Sequence, residues 1–120
     1  MGTGNFRRTM SATSLTGDKV VNTSGENLGK IEDLMIDVFN GRVVYAVLSF
    51  GGFLGIGDKL FAIPWSSLTL DEANKRFILD VPKNVLETAP GFDKDKWPDL
   101  GDLEYANRIY THYGATQYWD

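Results

Sequence analysis

LGKIEDLMIDVFNGRVVYAVLSF, residues 28–50, decides how this chain folds. It reads as two strands around a turn. In the first strand, about Leu28 to Phe39, the apolar alternation changes phase midway: Ile31 belongs to one face, and Leu34, Ile36 and Val38 to the other. Odd spacing between inward residues predicts a bulge near Glu32-Asp33, the device that bends a strand around a barrel corner. Asn40 and Gly41 both tolerate positive φ, so the pair predicts a two-residue type I′ hairpin. The partner strand, Arg42 to Phe50, carries Val43, Tyr45 and Val47 on one face and Val44, Ala46, Leu48 and Phe50 on the other. A strand apolar on both faces is covered on both sides. One face suits a barrel interior; the other needs a helix, a tail or a second subunit.

Outward from this hairpin the pattern stays β. Lys19 to Asn22 is a short strand ended by the turn-forming Thr23-Ser24-Gly25. Beyond the loop 51–58, strands are predicted at Lys59 to Ile63, Ser67 to Leu70 and Arg76 to Val81, with Pro64-Trp65 interrupting the ladder. Six short strands with frequent turns favour a small barrel. From Pro82 the period changes. Pro82 to Thr88 suits a short helix, and Leu100 to His112 a final helix stopped by Gly114, with a stripe at Leu100, Leu103, Ala106, Tyr110 and Tyr113. Residues 1–14, rich in Gly, Thr, Ser and Arg, form a flexible lead-in on this reading.

Composition excludes several kinds of chemistry. The 120 residues contain no cysteine and one histidine, His112. A disulfide framework, a thiolate metal site, a cysteine nucleophile and a multi-histidine site within one chain are therefore ruled out. Twelve Lys and Arg against sixteen Asp and Glu give a net charge of -4, concentrated after residue 81. That balance argues against nucleic acid, whose binders rely on a basic face. The longest uncharged run, residues 43–57, is fifteen residues, short of the about 20 that a membrane helix needs. No signal-peptide core follows Arg7-Arg8, so the expected location is the cytoplasm.

The stretch Gly25-Glu26-Asn27-Leu28-Gly29-Lys30-Ile31-Glu32-Asp33-Leu34 resembles the opening signature of PRC-barrel domains, a Gly-rich turn leading into Leu-Gly-x-Ile-x-Asp. Tyr45 to Ser49, the loop 51–57 and Phe61-Ala62-Ile63-Pro64-Trp65-Ser66-Ser67-Leu68 follow in the order and spacing of that family. The tail from Ala89 to Pro98, followed by a Tyr-rich helix, resembles its stand-alone bacterial members. The resemblance implies a mainly β fold: a small PRC-type β-barrel of about six strands, with a short helix and a C-terminal helix. It divides the chain into a lead-in (1–14), a barrel (15–90) and an aromatic helical extension (91–120). It implies a module for protein–protein contact, often a dimer, without family catalytic residues. The family also includes the cytoplasmic domain of the photosynthetic reaction centre H subunit. An accessory role at a membrane or photosynthetic electron-transfer complex is therefore the alternative expectation, and a small-ligand or enzymatic barrel a second.

Candidate chemistry is sparse. The Gly52-x-x-Gly55-x-Gly57 loop precedes a strand rather than a helix N-terminus, so it reads as an apolar contact loop (Phe53, Leu54, Ile56) and not a phosphate cradle. Residues 93–104 echo a calcium loop, but Trp97 and Pro98 stand where it needs an oxygen ligand and a glycine. They read as a polar linker with Asp99 capping the last helix. Glu32, Asp33 and Asp37 are candidate acid/base carboxylates without a matching cleft motif. His112 reads as a helix-end histidine. Four of the five tyrosines and two of the three tryptophans lie after residue 96, the residue types that dominate interface centres. The expected interaction surface is therefore Phe53, Leu54, Ile56, Trp97, Tyr105, Tyr110 and Tyr113. The expected function is a non-enzymatic adaptor that binds protein, most simply itself as a homodimer. It needs no cofactor and no metal, and would meet a membrane only through a partner or the loop 51–57.

Overall fold

The structure, a computed structural model, describes residues 9–51 and 58–119. Seven strands form one sheet: β1 Lys19–Val21, β2 Asn27–Asp37, β3 Arg42–Gly51, β4 Asp58–Pro64, β5 Leu68–Asp71, β6 Arg76–Leu79 and β7 Phe92–Asp93. Their spatial order is β5-β6-β1-β2-β3-β4-β7. β1 and β6 run parallel and every other neighbouring pair antiparallel. Three helices, α1 Ala12–Leu15, α2 Lys83–Glu87 and α3 Leu103–His112, complete the described fold. The mainly β reading, the six strand positions and the two C-terminal helices agree with the sequence.

Among the described residues the ladder does not close into a barrel; β5 and β7 are its edges. The sheet is nonetheless strongly coiled. In a flat sheet β4 and β5 would lie about 24 Å apart, five strand spacings. Yet only a 3-10 turn over Trp65–Ser67 joins them. β4 ends at Pro64, which has no N–H to donate. The free side of β4 pairs with β7 instead, Leu60 opposite Phe92, a strand not foreseen in the polar linker.

Two apolar clusters occupy the two faces. Inside the coil, Ala46 and Leu48 of β3 pack with Val20, Ile31, Ile63, Phe77 and Leu79, capped by Leu15 of α1 and Leu86 of α2. Ser11, in the expected lead-in, caps α1, whose last residue, Leu15, is buried as the first residue of the expected barrel. On the outer face, Tyr45 and Val47 of β3 with Leu60 and Ala62 of β4 are covered by Tyr105, Ala106, Ile109 and Tyr110 of α3. The double-sided burial expected of β3 is thus met by the chain's own C-terminal helix.

Local chemistry explains α3. Asp102, not Asp99, is its N-cap and accepts from the Tyr105 amide at 3.0 Å; Asp99 accepts from Gly101. Gly114, at φ 66°, ends the helix as expected. Ala115 N donates to Tyr110 O and Gly114 N to Thr111 O, the paired bonds of a Schellman stop. That turn redirects residues 115–119 back across the sheet.

Registers place two β2–β3 irregularities. Ile31 faces Leu48 and Asp33 faces Val47, leaving Glu32 as the extra residue, the bulge predicted there. It returns Leu34 to the inner face, against the same cluster as Ile31. A second bulge lies at Val44, between the pairs Met35–Tyr45 and Ile36–Val43. It breaks the simple alternation, so Val44 packs with the outer cluster rather than beside Ala46.

Candidate interaction surface

The distal part of the β2–β3 hairpin leaves the sheet. β1 pairs with β2 only from Asn27 to Lys30. On the other side, β4 pairs with β3 no nearer the turn than Tyr45 opposite Pro64. Among the described residues, Ile36–Val43 and Asp37–Arg42 therefore belong to a two-stranded arm without a further strand on either side. Its tip carries apolar residues into solvent: Phe39 is 97%, Val38 86% and Ile36 53% exposed. The alternation that assigned Ile36 and Val38 to the core breaks down here, because the arm runs past the last residue that α3 or a neighbouring strand covers.

The turn also differs from the expected type I′ form. It spans residues 38–41, with Gly41 at φ 64° and Asn40 outside the positive-φ region. Gly41 N donates to Asp37 O at 2.8 Å. Asp37 explains the choice: its Oδ1 accepts from the amides of Phe39 and Asn40, and its Oδ2 from the Asn40 side chain. An aspartate that satisfies the next backbone amides favours this wider turn. The hydrogen bond from Tyr118, followed by those from Asn40, holds the Asp37 carboxyl well below its ordinary range, at about 2.

The residues expected to form the surface divide three ways. Phe53, Leu54 and Ile56 lie outside the described residues. Trp97 is 39% exposed, but its indole donates to Lys94 O at 2.8 Å and its ring packs on Phe92. Tyr105 and Tyr110 are buried, and Tyr113 half-buried, between α3 and the sheet. Burial pushes all three phenols above their ordinary range. Tyr110 donates to Val44 O at 2.7 Å, satisfying the carbonyl of the bulged residue. Here these tyrosines face their own sheet rather than solvent.

The candidate carboxylates do not converge. Glu32 lies 4.0 Å from Lys94, and Asp33 accepts from the amide of Leu34. Asp93, the first residue of the calcium-like stretch, pairs with Lys59 at 3.6 Å. His112 Nε2 is 2.9 Å from Val85 O, tying α3 to α2. Among the described residues no three His, Asp or Glu side chains are grouped to hold a metal ion. A hollow of about 500 Å³ beside the start of α3 mixes Asp99, Asp102 and Glu104 with Arg108 and the Tyr105 ring. It shows no nucleophile–base pair. Among the described residues no helix is long and apolar enough to cross a membrane.

The Gly-rich turn at residue 25 leads into a coiled seven-stranded sheet bent at the Glu32 bulge, where the signature implied a closed barrel of about six strands. The family model for the PRC-barrel domain matches residues 7–86. The chain belongs to the PRC-barrel domain family. No curated protein matches it. The matched span contains the whole β2–β3 arm but ends before α3, so the helix covering the outer face lies beyond the part of the PRC-barrel that the family model describes.

Proposed function

We propose that this PRC-barrel is a non-enzymatic binding module of the cytoplasm that associates with a second copy of itself through the tip of the β2–β3 arm. The carrying observation is the exposure of Ile36, Val38 and Phe39 together on a projecting hairpin. Side chains that apolar, held away from the core, offer roughly 400 Å², the size of the functional patches found on soluble monomers. Stable complexes bury about 800 Å² per partner. An isologous contact between two tips is half of that and belongs to the weak, reversible class. A second copy supplies the same patch in the same setting, as a two-fold contact requires. A lipid surface is the poorer occupant: the chain carries a net charge of -4 and Asp37 flanks the tip, whereas membrane-binding segments gain from basic residues.

Sedimentation velocity over a concentration series tests the proposal. The wild-type chain is expected to dimerise reversibly, with a Kd weaker than about 1 μM. Val38→Ser with Phe39→Ser should weaken it at least about tenfold without lowering Tm, since neither side chain is buried. A wild-type chain that stays monomeric, or a double variant that dimerises equally well, overturns the proposal. So does wild-type binding to neutral or anionic vesicles that the double variant abolishes while dimerisation is absent.

A further inference from the structure

A two-stranded hairpin is marginal by itself in water, and among the described residues no third strand pairs with the arm beyond Tyr45. What supports it comes from the far end of the chain. The Tyr118 hydroxyl donates to Asp37 Oδ2 at 2.6 Å, across 81 positions of sequence. This is the shortest of the four hydrogen bonds that the Asp37 carboxylate accepts among the described residues; the other three come from Phe39 N, Asn40 N and Asn40 Nδ2 within the turn. The Arg42 guanidinium carbon stands 3.8 Å from the centre of the Tyr118 ring. Tyr118 therefore grips the last residue of β2 and the first residue of β3 at once.

The grip is tied to the body of the domain. Tyr118 packs edge-on against Trp119 at 5.2 Å, and Trp119 against Tyr110 at 4.6 Å. Tyr110 in turn donates to Val44 O at the bulge where the arm begins. Residues 115–119 are thus a strap from the end of α3 to the foot of the tip. It has no regular secondary structure; beyond the backbone bond of Ala115 to Tyr110, the contacts of the Tyr118 and Trp119 side chains hold it.

We infer that Tyr118 is a positioning residue for the docking tip: the strap orders the turn that displays Val38 and Phe39, and lifting the strap weakens self-association. The inference rests on the function proposed above, but its primary readout does not. Tyr118→Phe retains a ring for Arg42 and Trp119 and removes only the hydroxyl. Residue-resolved amide exchange on the full chain should then show the Phe39 and Asn40 amides exchanging about three- to tenfold faster, the size expected for losing one charge-assisted hydrogen bond at a partly exposed site. Exchange of the core strands β1 and β6 should not change. Tyr118→Ala, which also removes the ring, should have the larger effect. Self-association should weaken only as far as the ordered fraction of tips falls in both copies, by less than about twofold in Tyr118→Phe and more in Tyr118→Ala, because only ordered tips are competent.

Unchanged exchange at Phe39 and Asn40 in both variants overturns the strap as an ordering device. Faster tip exchange with an unchanged dimer Kd overturns its coupling to docking. Faster tip exchange in a chain that is monomeric at every concentration leaves the ordering role standing and refutes the self-association reading. In a double-mutant cycle of Tyr118→Phe with Asp37→Asn, non-additive effects on tip exchange identify the Tyr118–Asp37 bond as the carrier, and additive effects refute it.

Discussion

Gly29→Ala is the most severe single-methyl change the structure predicts. Gly29 lies in β2 at φ +128°, and a Cβ there would stand 2.0 Å from Ser49 O, 3.0 Å from Ser49 C and 3.3 Å from a Leu48 methyl. The first contact falls roughly 1.4 Å short of ordinary van der Waals separation. The obstacle is backbone, and it cannot retreat, because Ser49 is paired with Lys30 on one side and Leu60 on the other. Two costs combine: about 1–3 kcal/mol for an L-residue at that φ and about 1–3 kcal/mol for overpacking between strands. Gly25→Ala is the control, since Gly25 also has a positive φ, +84°, but nothing within 4 Å of the added carbon. It should cost only the conformational part, about 1 kcal/mol. In urea unfolding at unchanged m-value, Gly29→Ala should lose about 4 kcal/mol, a Tm drop on the order of 15 °C, and Gly25→Ala a quarter of that. If the two variants fall within about 0.5 kcal/mol of each other, the close approach of β2 to β3 at Ser49 is refuted.

Two tyrosines in the outer cluster should respond in opposite directions. The Tyr45 hydroxyl is buried without a hydrogen-bond partner among the described residues, so Tyr45→Phe should be neutral or stabilise by about 1 kcal/mol. Tyr110→Phe strands Val44 O and should cost about 1–3 kcal/mol; equal effects by thermal unfolding would contradict the assigned bonding. The Tyr118–Asp37 bond sets two pH windows. Asp37 is lowered from 3.8 to about 2, first by Tyr118 and then by Asn40, so its contribution is complete above 3.8 and lost as pH falls through about 2. Tyr118 is pushed up from 10.0 to about 12, first by burial and then by Asp37, so its contribution is complete below 10.0 and lost as pH rises through about 12. Carboxyl NMR titration and phenolate absorbance follow the two groups. Tyr118→Phe should move the Asp37 midpoint upward, and an Asp37 that titrates near 3.8 in the wild-type chain contradicts the bond.

The parts of the fold that depend on near neighbours were legible in the sequence. Phase change between Ile31 and Leu34 needs only period-two alternation to predict the Glu32 bulge, and the register bears it out. The doubly apolar β3 demanded two covers, and it has them. Alternation carries no information about where a core ends. Ile36 and Val38 keep the parity of buried residues, yet lie exposed because β1 and β4 stop short beside them. The length of neighbouring strands is a tertiary property, invisible in β2 itself. The turn was misread for a local reason: Asn40-Gly41 is a strong type I′ signal, but Asp37 competes by binding the amides of Phe39 and Asn40. An aspartate three residues before an Asn-Gly pair, followed by Val and Phe, was the sign available in the sequence.

The aromatic tail shows why composition pointed to an interface but not to its place. Tyrosine and tryptophan suit any boundary where one side of a ring is apolar and its edge polar, and an α3–sheet contact within one chain is such a boundary. Tyr105 and Tyr110 meet Tyr45 edge-on at 6.3 and 6.1 Å, which covers the face of β3 that otherwise called for a second subunit. With that face covered by α3, the described residues leave the outer face of β3 and β4 closed to solvent there. Trp97 is engaged with Phe92. Among the described residues the largest apolar exposures then fall on Phe39 and Val38. On the proposal made above, such a domain recognises with an arm rather than a cleft. The proposed contact is small, hence weak and reversible, and its strength would depend on how firmly residues 115–119 hold that arm in place.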